Sequence, residues 1–102
     1  METKIKLRQS NGSEKTYICE FLSLVTFEQA LEVKKLFKES LEGDGTFTQE
    51  ALDKGIKLLL EIYKGQFTYD EVVNGLSPSK AFYIFLEHAQ MCLGELTVQS
   101  TI

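Results

Sequence analysis

The chain has 102 residues with 11 basic and 15 acidic side chains, a net charge of −4, and this length supports one core covering roughly 60 to 70% of the unfolded surface. Lys and Glu alternate along the helices without forming blocks, so no nucleic-acid partner is expected, since phosphate binding needs a clustered positive face. A hydrophobic share of 43% excludes a disordered chain, and apolar runs as short as Leu58-Leu59-Leu60 and Ala81 to Leu86 exclude a bilayer span, so no membrane partner is expected either.

The N-terminal METKIKLRQSNG lacks the apolar segment of a signal peptide, which predicts a cytoplasmic protein. Residues 3–8 (TKIKLR) and 15–21 (KTYICEF) alternate polar and apolar around QSNGSE, which predicts a β-hairpin over 3–21. A two-residue Asn11-Gly12 turn would pair Ile5 with Ile18 and split the apolar residues between faces. A three-residue loop, Ser10-Asn11-Gly12 with Gly12 left-handed, pairs Ile5 with Tyr17 and Thr3 with Cys19. It is preferred because Ile5, Leu7, Tyr17, Cys19 and Phe21 then share a buried face while Lys4, Lys6 and Arg8 meet water. Two strands alone are marginal, so this hairpin must lie on helices or pair with another edge.

Helices are predicted over 26–42, 48–63, 69–75 and 78–93. Thr26 with Gln29 forms a capping-box pattern, and Ala30, Val33, Phe37 and Leu41 make the first stripe. Gly43 stops that helix, and Thr46 or Thr48 caps the next. At about 100° per residue, Ala51, Leu52, Gly55, Ile56, Leu58, Leu59, Leu60, Ile62 and Tyr63 sweep roughly 200° of surface. A helix covering one edge of a domain needs only about half of that, so this is the central helix, with neighbours on two sides. Thr68 with Glu71 forms a second capping box, Phe67 can staple onto Val72, and Asn74-Gly75 closes the short third helix. Ser77 and Pro78 start the fourth, whose broad arc runs through Ala81, Phe82, Phe85, Leu86, Ala89, Cys92 and Leu93, extended by Ile84 and Met91. The whole is α+β, mainly α: an N-terminal β-hairpin followed by three to four packed helices in a single domain over 1–94, with a frayed tail at 95–102.

Chemistry is sparse. Cys19 and Cys92 stand in no Cys-x-x-Cys pair and read as small buried apolar residues. His88, the single histidine, falls toward the oily side of the last helix and reads as a hydrogen-bonded structural imidazole. The loop SLEGDGTFTQEA looks like a calcium loop, but with Gly45 sixth it places Ser40 first and Ala51 twelfth, so the first and last ligands are missing. No metal, no cofactor and no catalytic residue is expected. The apolar arcs, by contrast, exceed what a chain this small easily hides. Phe82, Phe85, Leu86, Met91 and Leu60 are the candidate partner-binding residues, facing another protein or a second copy in a homo-oligomer.

Residues 65–76 (GQFTYDEVVNGL), following an amphipathic helix, a first helix and a Lys-rich hairpin, carry a phrase of the form aromatic-Thr-x-acidic-acidic-aliphatic-x-x-Gly-Leu. In this the chain resembles the tail assembly chaperones of long-tailed phages and prophages of Gram-positive bacteria, and the likeness runs through Leu93. Phe67, Thr68, Glu71 and Gly75 are the motif residues and are expected to hold the fold. The resemblance implies a non-enzymatic helper working in the host cytoplasm and absent from the mature virion. Its partners would be the tape measure protein, kept soluble, and the tail tube protein assembling around it. A different phage interaction protein, such as a head-to-tail connector component or a small regulator, is the alternative.

Overall fold

In the computed structural model, which describes residues 2–43 and 48–94, the chain opens with β1 (Thr3–Arg8) and β2 (Glu14–Cys19) as an antiparallel hairpin. Ile5 stands opposite Tyr17 and Thr3 opposite Cys19. Gln9 N–H donates to Ser13 C=O at 2.7 Å and Gly12, at φ +89°, donates back to Gln9 C=O at 2.9 Å. This is the three-residue loop with its left-handed glycine, and the apolar pattern selected it: Thr3, Ile5, Leu7, Tyr17 and Cys19 are buried, Lys4, Lys6 and Arg8 exposed. Phe21 departs from the expectation. β2 ends at Cys19, whose Sγ–H donates to Phe21 C=O at 3.2 Å, and beyond the strand the alternation no longer holds, leaving Phe21 exposed.

A 3-10 turn (Leu24–Thr26) leads into α1 (Phe27–Glu42), followed by α2 (Gln49–Ile62), α3 (Tyr69–Gly75) and α4 (Pro78–Cys92). The fold is thus α+β and mainly α, a hairpin followed by four helices. Ala30, Val33 and Phe37 of α1 are buried as their spacing requires, but Leu41, in the last turn, is exposed. The expected capping box at Thr26 is also absent. The preceding turn holds Thr26 in the helical region, φ −87° and ψ −5°, and its hydroxyl donates to Ser23 C=O at 3.0 Å. Gln29 Oε1 is left buried without a partner.

Where the chain enters a helix from extended backbone, local signals hold. Thr48 (ψ 158°) accepts from Ala51 N–H at 3.0 Å. Thr68 (ψ 167°) accepts from Glu71 N–H at 3.1 Å, while Glu71 Oε1 accepts from Thr68 N–H at 2.8 Å, a complete capping box. Ser77 precedes Pro78 at the start of α4, but its hydroxyl pairs with that of Ser79 and makes no cap. The predicted loop residues Thr46 and Phe47, much of the calcium-like loop and the tail at 95–102 lie outside the described residues.

α2 is the central helix. Ala51, Gly55, Ile56, Leu58, Leu59 and Ile62 are buried, with Tyr63 next in line, and α1, α3 and α4 all pack on it. Its end is a Schellman motif: Gly65 N–H reaches Leu60 C=O at 3.1 Å and Lys64 N–H reaches Glu61 C=O at 3.3 Å. Lys64 itself takes the left-handed conformation, φ +52°. Two other glycines serve packing. A Cβ on Gly55 would lie 2.7 Å from the Phe85 ring of α4, and one on Gly75 would lie 3.0 Å from Leu7 Cβ and 3.1 Å from Arg8 O of β1. Gly75 therefore does not close α3 as a left-handed cap; Leu76 ends that helix in extended backbone, and the glycine lets α3 press onto the hairpin.

Three substitutions test these backbone roles by urea unfolding. Gly55→Ala and Gly75→Ala each lower stability by about 1–3 kcal/mol from overpacking, despite the better helix propensity of alanine. Lys64→Gly raises it by up to about 1 kcal/mol by relieving the left-handed strain.

Candidate partner-binding surface

The motif residues form a joint between hairpin and helices. Phe67 is 3% exposed, edge-on to Tyr17 of β2 (centroids 4.9 Å, 71°) and tilted against Tyr63 at the end of α2 (5.4 Å). Gln66, beside it, donates from Nε2 to Ile18 C=O at 2.9 Å. Tyr69 donates its hydroxyl to Asp53 Oδ1 at 3.0 Å, and Lys57 lies 3.1 Å from Asp53 Oδ2. The hydrogen bond from Lys57, then that from Tyr69, holds the Asp53 carboxyl below the usual carboxylate range. These contacts fix α3 between α2 and β1.

His88 is sealed in the core. Ile84 C=O accepts from Nδ1–H at 2.7 Å, which leaves Nε2 as an acceptor for the Tyr63 hydroxyl at 2.8 Å. Burial pushes the imidazole below its ordinary pKa and the Tyr63 phenol upward. Both ring nitrogens are thus engaged within the chain, and the ring is 1% exposed where it borders the cleft between β1 and α4. Cys19 is buried and Cys92 half-buried, both free thiols, and burial pushes the Cys92 thiol up. Among the described residues no group of three His, Cys, Asp or Glu side chains could hold a metal ion.

The candidate partner residues separate into two kinds. Phe85 is 1% exposed, edge-on to Phe37 and set over Gly55, so its place is the core. Phe82 is half-buried on Phe37 with ring centroids 5.1 Å apart, and Leu86, Met91 and Leu60 are likewise partly exposed; Met91 Sδ accepts from Thr3 Oγ1 at 3.4 Å. The largest exposed apolar side chains lie elsewhere. Phe21, Leu24 (82% exposed), Val25, Phe27 and Leu31 fall between β2 and the first turns of α1, and Tyr83 (72%) stands on the outer side of α4. Sequence reasoning missed them because it followed the core period. The signal was present: Phe27 and Leu31, at i and i+4, lie about 100° around α1 from the stripe of Ala30, Val33 and Phe37, on its flank.

Two of the clefts on the described surface border these elements. One, of about 200 Å3, is almost wholly apolar and runs between α2, α3 and α4 past Leu52, Val73, Leu76 and Pro78. The other, of about 520 Å3, lies between β1 and α4 and is rimmed by Lys4, Lys6, Arg8 and Lys80.

A pH dependence follows from His88. Its folded pKa lies below the unfolded value of 6.5, so below that pH the unfolded chain binds more protons than the folded one, and stability falls as pH falls from 6.5 toward the lowered value. Thermal unfolding between pH 7.5 and 5 shows this loss in the wild type, and the slope flattens in His88→Gln. Phe67→Ala costs about 3–5 kcal/mol as a buried aromatic truncation, measured by denaturant midpoint.

The family model described as phage tail chaperone protein matches residues 1–98. No curated protein and no solved structure matches the chain.

Proposed function

Because the chain belongs to the phage tail chaperone family, we propose that it acts without catalysis, binding the tape measure protein to keep it soluble and helping tail tube subunits assemble around it. The observation that carries this reading is the apolar material left outside a closed core, above all Leu24, Phe27 and Leu31. Covering Leu24 gains most of the roughly 1.5–3 kcal/mol of a full burial, and Phe27 and Leu31, less than half exposed, a smaller share; their spacing of one helical turn suits an amphipathic helix of the kind a tape measure chain presents. Phe82, Leu86, Met91 and Leu60 are the adjoining candidates, since each keeps part of its surface open. The sealed His88 supports a binder and not an acid-base catalyst.

Work in the host cytoplasm, departure before the virion is complete and contact with the tail tube protein belong to the same proposal. Among the described residues no helix is long and apolar enough to cross a membrane, which is compatible with that site of action. A second copy of the chain is an alternative occupant of the exposed face.

Co-expression with a tape measure fragment is the direct test. The wild-type chain is expected to move most of that fragment into the soluble fraction. Leu24→Asp combined with Leu31→Asp loses this effect while leaving far-UV circular dichroism unchanged, because both positions are exposed. A fragment that stays equally insoluble with and without the chain overturns the proposal.

A further inference from the structure

Among the described residues the outer backbone edge of β1 borders a cleft. Gln9 and Ser13 form the bonded pair that closes the loop, and antiparallel pairs alternate between bonded and non-bonded. Leu7 with Lys15, Ile5 with Tyr17 and Thr3 with Cys19 therefore exchange the ladder bonds, and the N–H and C=O groups of Lys4 and Lys6 point away from β2. Among the described residues no turn, loop or helix supplies a backbone bond to either. The opposite edge is partly covered, by Gln66 at Ile18 C=O. At its far end β1 is closed by α3, where Gly75 lies against the Arg8 backbone. Only the stretch through Lys4 and Lys6 looks out, into the cleft of about 520 Å3 shared with α4.

That cleft has a definite chemistry. Lys4, Lys6, Arg8 and Lys80 set four positive charges around it against two negative ones, Glu14 and Glu87, on a chain whose net charge is −4. Lysines along a strand edge discourage pairing with strands of like charge. The same lysines select what can be admitted. A second copy's β1 would set Lys4, Lys6 and Arg8 against themselves, and its β2 would offer Glu14 as the one acidic residue near them. An extended segment with acidic side chains at alternate positions meets both requirements at once: its backbone satisfies Lys4 and Lys6, and its carboxylates reach the cationic rim. Its other face would turn to Leu76 and Ile84, which also line the cleft.

We infer that the cleft between β1 and α4 is a strand-addition site for an extended acidic segment of another protein, which enters as a third strand beside β1. This surface is distinct from the exposed stretch ending at Leu31, and it stands whether or not the tape measure protein is the partner there.

The probe is a fluorescent, terminally blocked peptide of about eight residues, the length of a strand, with Glu and Val in alternation. In about 50 mM salt, where screening is weak, the wild-type chain binds it by anisotropy, and hydrogen exchange slows at the Lys4 and Lys6 amides. Lys6→Pro removes one outward amide and keeps the ladder to β2; Lys4→Glu with Lys80→Glu reverses the rim. Each is expected to weaken binding about tenfold or more with circular dichroism unchanged. A peptide N-methylated at alternate amides keeps its charge but loses the strand bonds, so it should bind the wild-type chain at least about tenfold more weakly, a result that needs no variant to fold. The inference is overturned if the wild type does not bind the peptide, if the methylated or a Lys-for-Glu peptide binds equally well, or if Lys4 and Lys6 become protected with rising protein concentration alone.

Discussion

At Gly55 the missing Cβ admits the ring of Phe85, which comes within 2.7–3.1 Å of where that carbon would stand. α2 and α4 meet through an aromatic ring laid on bare backbone, and Phe37 of α1 closes on the same ring from another side, centroids 6.1 Å apart. Three helices thus share one side chain. Close approach of this kind raises the packing contact each helix makes, and interiors are dense enough that a single added methyl is felt. The wide apolar arc of α2 is a consequence, since a helix with neighbours on several sides cannot spend half its surface on charge.

The hairpin joins this bundle by different means. β1 and β2 bury one face of short alternating strands, too little to stand alone. Phe67 links the hairpin to α2 through Tyr17 and Tyr63, and Gly75 lets α3 lie against Leu7. Buried polar groups at the junction satisfy one another: the Tyr63 hydroxyl donates to His88, which donates onward to Ile84 C=O. A satisfied network in low dielectric adds rigidity where an unpaired imidazole would be costly. The family phrase around Phe67, Thr68, Glu71 and Gly75 is accordingly a structural joint, and its residues are buried or bonded within the chain.

Much of the fold was legible because its signals are local. Hairpin register followed from side-chain parity, and the Thr68 box from four consecutive residues entered from extended backbone. The same letters at Thr26 and Gln29 failed because the preceding 3-10 turn sets Thr26 at ψ −5°, so its hydroxyl turns back to Ser23. Capping patterns presuppose an extended entry, and residue types alone do not carry that. Gly75 was recognised as special for a local reason, whereas its requirement is tertiary. The candidate surface was less legible still. Period identifies which side of α4 faces inward, but the depth at which Phe85 is sealed and Phe82 left half open depends on where Phe37 and Gly55 sit. Phe21 and Leu41 fit their stripes and yet lie outside, Phe21 because β2 stops at Cys19 and Leu41 in the last turn of α1.

The exposed apolar stretch and the cationic cleft make different physical demands, and their separation bears on how a small chain can hold a client without aggregating. Leu24, Phe27 and Leu31 gain from covering by any apolar helix face, so they provide affinity with little selectivity. Unguarded, such a face would also attract its own copies, and a net charge of −4 only weakly opposes that. The edge at Lys4 and Lys6 is guarded in the opposite sense, repelling like strands and accepting acidic ones. A partner that must satisfy both surfaces gains from linkage, since binding at one raises the effective concentration at the other. Promiscuous grease and a selective strand edge on one small body can together favour a particular client over a second copy of the chain, which neither surface achieves alone.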